Sequence, residues 1–484
     1  MKQTNKAADP AAESAEGRPL TKRNSREHVG VRTQSRNLTT SRLATVREAA
    51  RADPALVFTN LMTHLTLELL EESFYALDRR AAPGPDGVRW QDYREGLDER
   101  LRALHQRIHQ GRYRPKPARR VAIPKEDGSE RHLGILCLED KVVQQAVGEI
   151  LSQVYEVDFL GFSYGFRRSR GQHDALDAVT VGLLRRKVDW VLDLDISKFF
   201  DSVDHNWMLQ FLQHRVGDPR IVRLVRQWLE VGHLDEAGRR VRAKQGTPQG
   251  AVISPLLANL YLHYVFDLWV DQWRRRRARG DVIVVRYADD SVLGFQHHDE
   301  AVAFQQALEA RVARFGLALH PQKTRLLRFG RFAIRDAQAA GEGKPGSFDF
   351  LGFTHLCSHN SLGKFTIRRT TMRKRRVAQL KRIRAELRRR LHHPIARTGA
   401  WLQRVVQGHI NYYGVPFNSQ AVSGFCNEVR RSWYRSLCRR SQRKRLNWQR
   451  YGRIADYWLP RPRVVHPYPQ KRFDAITRGR SRMR

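Results

Sequence analysis

The sequence has 484 residues, a formal net charge of +39 and a pI near 11.0, which excludes an ordinary metabolic enzyme of near-neutral charge. A chain this basic is expected to bind polyanions, nucleic acid before an acidic membrane surface. Four cysteines without C-x-x-C spacing indicate neither a disulfide framework nor a cysteine-based zinc site. The sequence contains no signal peptide and no apolar run of about 18 residues, so we expect a cytoplasmic protein with no membrane partner.

The N-terminal part divides into two segments. Residues 1–45 are polar and contain no aromatic residue, which predicts a basic and largely disordered arm. An apolar helical pattern then begins near Leu61 and ends at the turn-forming segment 81–88, which is rich in Pro and Gly. This pattern assigns residues 46–103 to a separate N-terminal extension.

The central part, residues 104–357, alternates between strand-like and helix-like segments. A buried strand is predicted at 188–195, helices follow at 206–212 and 221–229, and two paired strands at 282–287 and 291–295 flank Ala288-Asp289-Asp290. This order is typical of an α+β fold in which an antiparallel sheet carries helices on one face.

The C-terminal part contains apolar residues at three- and four-residue spacing, and these predict three amphipathic helices with basic outer faces. The three sets are Val377, Leu380, Ile383, Leu387 and Leu391; Trp401, Leu402, Val405, Val406 and Ile410; and Phe425, Val429, Trp433 and Leu437. Residues 361–484 hold 33 Lys+Arg against 4 Asp+Glu. Solvation could explain one basic helix face, but three in succession favour phosphate binding.

Three aspartates are candidates for a metal site. Asp289 and Asp290 occupy the predicted hairpin tip, where an isolated Asp-Asp pair is most often an acidic turn. Asp195 ends the predicted strand 188–195 and would meet that tip if the strands are neighbours. Three converging carboxylates are hard oxygen ligands suited to Mg²⁺, and two such ions can catalyse phosphoryl transfer to a 3′-hydroxyl.

Several segments together resemble one family. Y-A-D-D (287–290), L-D-I-S-K-F-F-D (194–201) and Q-G-T-P-Q-G (245–250) stand in the order found in bacterial group II intron-encoded reverse transcriptase/maturases. The resemblance implies a right-hand polymerase with fingers and an antiparallel palm sheet, followed by an α-helical thumb. It makes residues 46–103 the N-terminal fingers extension, 104–357 the reverse transcriptase fingers–palm domain, 371–460 the helical thumb/maturase domain and 461–484 a basic C-terminal tail.

The resemblance also implies a role for individual residues. Catalysis falls to Asp195, Asp289 and Asp290, which with the Ile196 backbone would hold two Mg²⁺ ions. Binding of the incoming dNTP is assigned to Lys125, Arg131, Phe200, Gln249 and Gly250. Contacts with template and primer are assigned to Arg167, Arg170 and Lys323.

The implied function is RNA-directed DNA polymerisation together with intron RNA binding as a splicing maturase. The partners would be group II intron RNA, an RNA template with a DNA primer, dNTPs and target DNA, and the protein would associate with the bacterial nucleoid when on DNA. The C-terminal segment lacks the paired cysteines of the zinc-containing endonuclease found in many relatives, so we expect a member without that domain. A splicing-only maturase, or a relative serving phage defence or DNA repair, remains an alternative.

Overall fold

A computed structural model describes residues 42–124, 130–341, 344–440 and 446–477. The helices are α1 (42–52), α2 (Leu67–Ala76), α3 (Trp90–Arg94), α4 (Leu97–His109), α5 (Leu138–Asp158), α6 (Gln172–Arg185), α7 (Phe199–Ser202), α8 (His205–Gln213), α9 (Pro219–Glu230), α10 (Ser254–Leu262), α11 (Leu268–Arg276), α12 (His298–Ala313), α13 (Ala333–Ala339), α14 (Arg373–Arg389), α15 (Ile395–Tyr413), α16 (Ser419–Cys438), α17 (Trp448–Trp458) and α18 (Pro469–Thr477). The strands are β1 (Ala118–Pro124), β2 (Glu130–Ile135), β3 (Trp190–Leu194), β4 (His233–Leu234), β5 (Arg240–Val241), β6 (Val282–Tyr287), β7 (Asp290–Phe295), β8 (Arg325–Arg328), β9 (Ser347–Phe350), β10 (Phe353–His359) and β11 (Phe365–Thr371).

The central sheet has four strands in the order β6-β7-β3-β8, and every neighbouring pair is antiparallel. The strands predicted at 188–195, 282–287 and 291–295 are all present, as are the helices predicted at 206–212 and 221–229. Runs of Val, Ile and Leu favour these strands because branched side chains pack well on a pleated surface. The predicted α+β class with an antiparallel sheet is therefore confirmed.

This sheet is buried on both faces. Val284 and Leu293 point into a core that also contains α5, α8, α9 and α10. Val285 and Val292, one position along each strand, point the opposite way into a second core shared with α6 and the C-terminal helices. Burial on two faces explains why β6 and β7 read as continuous apolar runs rather than as alternating ones.

A second sheet lies toward the N-terminal part, with the order β2-β1-β4-β5. Strands β1 and β2 form an antiparallel hairpin in which Pro124 pairs with Glu130. Arg131 lies on β2, one position past this pair. Lys125 lies outside the described residues, and its role stays a prediction.

The three predicted C-terminal helices are present as α14, α15 and α16, and a three-stranded sheet, β11-β10-β9, connects them to the central part. Leu380, Ile383 and Leu387 of α14 are buried, as predicted. Two members of the predicted set differ: 55% of Val377 is exposed, and Leu391 lies beyond the end of α14 and is half-buried. The apolar face of α14 therefore begins one turn later than its spacing indicates.

The structure adds detail to two predicted segments. Residues 42–45, placed in the disordered arm, belong to α1, while residues 1–41 lie outside the described part. The predicted basic tail contains α18, which packs on α6 through Arg472, bonded to Asp177 at 2.5 Å. We call residues 461–477 the C-terminal strap. Within the described ranges, no helix is long and apolar enough to cross a membrane.

Candidate active site

The tip of the β6–β7 hairpin is fixed by a buried arginine. Tyr287 pairs with Asp290, which leaves Ala288 and Asp289 as the turn, with Ala288 at φ +56°. Arg286 is 1% exposed and donates to the Ala288 carbonyl oxygen at 2.9 Å. Its other donors bond to the Asp267 carboxylate, the Asn259 side-chain oxygen and the Ser163 hydroxyl. All five guanidinium donors are satisfied, so the turn rests on a rigid base.

Asp195 reaches the same place from β3. Leu194 pairs with Ser291, so the next residue of β3 continues toward Asp290. The backbone after Asp195 is tied down, because its carbonyl oxygen accepts a bond from the His320 N–H at 2.8 Å. The strand register therefore brings Asp195 to the hairpin tip, as the sequence predicted.

The carboxylates share one face of the sheet. Residues opposite each other on neighbouring strands share a face, as do alternate residues along a strand. Asp290 lies opposite Tyr287, and Asp193 lies opposite Val292, whose side chain belongs to the second core. Asp195 follows Asp193 by two positions. These side chains thus lie on the face that the C-terminal helices cover further along.

The electrostatics of this face are unfavourable for bare carboxylates. Burial raises the pKa of Asp289, and the nearby Asp195 raises it further. The pKa of Asp290 rises to about 7. The largest cause is desolvation of its carboxylate by the surrounding protein, and repulsion from Asp289, Asp195 and Asp193 adds to it. Asp290 is exposed to solvent, although the protein around its carboxylate disfavours the charged form. A cation at this place would relieve the repulsion.

The donor chemistry fits a hard divalent cation, although the side chains are not drawn together around one. In the described part of the chain, no group of three or more His, Cys, Asp or Glu side chains is gathered closely enough to hold a metal. The Lys323 ammonium lies 3.3 Å from Asp195 Oδ2 and supplies the local positive charge. Arg131 and, from α14, Arg375 lower the pKa of Asp289 and Asp290 respectively, so both lie within electrostatic reach of the site.

Comparison with known proteins gives a consistent result. Residues 123–355 match the family model described as reverse transcriptase (RNA-dependent DNA polymerase). Protein YkfC of Escherichia coli is 34% identical over 278 residues, covering 50% of this chain and 72% of that protein. The chain belongs to the reverse transcriptase family.

The relatives also include proteins of introns. The group II intron-encoded protein LtrA of Lactococcus lactis is 35% identical over 167 residues, covering 34% of this chain and 27% of that protein. The chain thus spans about a quarter of LtrA. The predicted resemblance and the enzyme class, RNA-directed DNA polymerase, are confirmed. Among solved structures, an apo telomerase of Candida tropicalis matches at 12% identity with a TM-score of 0.39, a similarity too low to add to the description of the fold.

In this reverse transcriptase Gln249 and Gly250, which are predicted to bind the dNTP, lie in a loop that contacts strand β2. Gly250 has φ +100°, and a Cβ there would lie 2.8 Å from the Gly134 carbonyl oxygen of β2. The Gly134 N–H donates to the Gln249 carbonyl oxygen at 2.6 Å, which ties this loop to the β1–β2 hairpin. Phe200 is partly buried with its ring 5.3 Å from that of Phe199. Their roles toward a nucleotide stay predictions.

The three residues predicted to contact template and primer have different surroundings. Arg167 has a side chain only 2% exposed. Its five donors bond to Glu156 and to the carbonyl oxygens of residues 156, 159, 160 and 163. We correct its assignment, because no donor is left for a template phosphate. Arg170 bonds two carbonyl oxygens of the same loop, and Lys323 contacts Asp195.

Sequence reasoning missed the network beneath the Ala288-Asp289 turn. Arg286 is a charged residue inside an otherwise apolar strand, a signal that it needs a buried partner. The partner, Asp267, is 0% exposed and lies in a π-helical turn, His263–Asp267, between α10 and α11. Only the three-dimensional arrangement pairs these two residues, which stand 19 positions apart.

Proposed function

We propose that this reverse transcriptase adds dNTPs to a primer 3′-hydroxyl on an RNA template, with Asp195, Asp289 and Asp290 as its catalytic residues. The observation that carries the proposal is the strand register, in which Leu194 pairs with Ser291 and Tyr287 with Asp290. It leads Asp195 toward the hairpin tip on the sheet face nearest the basic C-terminal helices. The raised pKa of Asp290, about 7, supports a site that works with bound cations.

We propose two Mg²⁺ ions as cofactors, held by these carboxylates with the Ile196 backbone. When bound, the ions would supply a lowered pKa for the primer hydroxyl and charge neutralisation for the triphosphate. Binding and selection of the dNTP would fall to protein side chains. Arg131 grips the triphosphate, the Phe200 ring excludes a ribose 2′-hydroxyl, and Gln249 and Gly250 line the nucleotide, with Lys125 completing the grip.

We also keep the predicted division into fingers–palm over 104–357 and thumb over 371–460. The thumb would bind primer–template and group II intron RNA in the cytoplasm, with target DNA bound at the nucleoid. The charge of residues 361–484, with 33 Lys+Arg against 4 Asp+Glu, supports a maturase role in addition to synthesis. The alternative is a protein that supports splicing without DNA synthesis, and primer extension distinguishes the two.

The test is primer extension on an RNA template with Mg²⁺ and dNTPs, comparing the wild type with Asp290→Asn. The asparagine keeps the size of the side chain and removes the charge that binds the cation, so extension should fall by at least about 10²-fold. RNA affinity, measured by filter binding, should stay within about twofold, because phosphate contacts elsewhere carry it.

A matched control is Asp299→Asn, which removes a carboxylate from the exposed start of α12, away from the hairpin tip. This variant should extend primers like the wild type. Robust extension by Asp290→Asn would reject the assignment of the catalytic site. Tight RNA binding without extension by the wild type would favour the splicing-only alternative.

A further inference from the structure

One aromatic side chain beside the catalytic turn has no role in the function proposed so far. Phe166 is 49% exposed, although exposed phenylalanines are uncommon in a well-packed loop. Its backbone has φ +56°, a left-handed conformation that is unfavourable for a non-glycine residue. A strained and exposed aromatic residue needs support from its surroundings, and such residues cluster at functional sites.

The loop that carries Phe166 is held firmly against the hairpin. The Tyr164 N–H donates to the Arg286 carbonyl oxygen at 2.8 Å, and the Asn259 amide donates to the Gly165 carbonyl oxygen at 2.7 Å. Gly165 lies so close to the turn that a Cβ would meet the Ala288 nitrogen at 2.3 Å. The next residue, Arg167, uses all five donors inside the fold. The Phe166 ring is therefore pre-positioned, not a mobile surface group.

The ring lies on the catalytic face. Its centroid is 6.3 Å from that of Tyr287. Tyr287 lies directly opposite Asp290 in the hairpin, so the two side chains share a face about 5 Å apart at Cβ. The order across this face is thus Phe166, Tyr287 and Asp290. A primer whose 3′-hydroxyl reaches Asp290 would bring its last nucleotides beside these two rings.

We propose that Phe166 is a positioning residue that packs against the terminal nucleotides of the primer, an inference that rests on the proposed function. Aromatic faces bind bases and sugars without regard to sequence, which suits an enzyme that copies any template. The ring fixes the primer end laterally while the carboxylates act on its hydroxyl. Phe166 does not touch the reacting atoms itself.

The test uses the full chain with Phe166→Ala and Phe166→Tyr. The first readout needs no catalysis: a primer–template with 2-aminopurine as the 3′-terminal primer base is bound in EDTA, and its fluorescence is recorded. Wild type and Phe166→Tyr should change the emission alike, and Phe166→Ala should lose most of that change. The KM for primer–template should rise about tenfold in Phe166→Ala, the size expected for one lost stacking contact. The KM for dNTP should stay within about twofold.

Phe332→Ala is the matched control, because Phe332 is also a surface aromatic, 46% exposed. It follows the segment 329–330 that packs on residues 188–189, at the opposite end of β3 from Asp195. Equal emission changes and equal KM values in Phe166→Ala and wild type would overturn the inference. A wild type that fails to extend primers, yet shows emission dependent on Phe166, would reject the proposed function and keep the positioning role.

Discussion

Arg286 illustrates how a single buried charge can determine the shape of a catalytic turn. Its guanidinium joins a carboxylate on one side to the Ala288 carbonyl oxygen on the other. Both partners of the ion pair are almost wholly buried, at 1% for Arg286 and 0% for Asp267. Such a pair adds little net stability, but breaking it leaves an uncompensated charge in the core.

Arg286→Met should lower the free energy of unfolding by about 3–5 kcal/mol, because Asp267 would remain buried without its partner. Urea denaturation at neutral pH measures this loss. The double variant Arg286→Met/Asp267→Leu removes both charges and should recover a large part of the stability. It should still extend primers poorly, since the turn has lost its donor to Ala288. Full activity in the double variant would contradict the role assigned to this network.

At the scale of elements, the sequence predicts those segments whose pattern is local. Strands β3, β6 and β7 follow from runs of branched apolar residues, and α14 to α16 follow from helical spacing. The convergence of Asp195 with Asp290 was predicted only on the condition that their strands are neighbours. The loop carrying Phe166 could not be placed, because its conformation depends on contacts with β6 and α10 rather than on its own residues. The template contact that the resemblance implies for Arg167 fails for the same reason, because the fold of this loop buries its guanidinium.

The fit between this loop and the hairpin predicts the effect of one methyl group. Gly165→Ala would force the Ala288 nitrogen away from its present position, since 2.3 Å is far inside contact distance. Primer extension should fall by at least about tenfold, because misplacing a reacting group by about 1 Å has a large effect on rate. Steady-state extension kinetics provide the measurement.

The comparison variant is Gly148→Ala in α5, where a Cβ would meet nothing within 4 Å. It should leave activity unchanged and add about 0.5–1 kcal/mol to the free energy of unfolding, since alanine is the better helix former. A Gly165→Ala enzyme as active as this one would show that the loop can move without disturbing the catalytic turn.

At the scale of the whole molecule, the C-terminal strap joins parts of the chain that no sequence pattern connects. Asp177 of α6 is 1% exposed and bonds Arg369 of β11 at 2.9 Å and Arg472 of α18 at 2.5 Å. Val465 and His466 of the strap also donate backbone N–H groups to the Gly414 carbonyl oxygen, at the end of α15. One carboxylate therefore links the central part, the third sheet and the strap.

Asp177→Leu should lower the free energy of unfolding by about 3–5 kcal/mol, because it leaves Arg369, only 2% exposed, without its partner. The matched control is Arg185→Ala, which breaks the exposed pair with Asp474 between the same two helices. That pair should contribute no more than about 1 kcal/mol. Chemical denaturation of both variants gives the comparison, and equal losses would contradict a special role for the buried carboxylate.

The ribosome synthesises the strap long after α6, the helix on which the strap packs. Asp177 and Arg472 are 295 residues apart, so at about 5–20 residues per second the carboxylate leaves the ribosome roughly 15–60 s before its last partner is made. During that interval Asp177 of α6 lacks its bond to Arg472. A transcript cut short before the strap would yield a chain that contains Asp195, Asp289 and Asp290 but lacks the bond between Asp177 and Arg472.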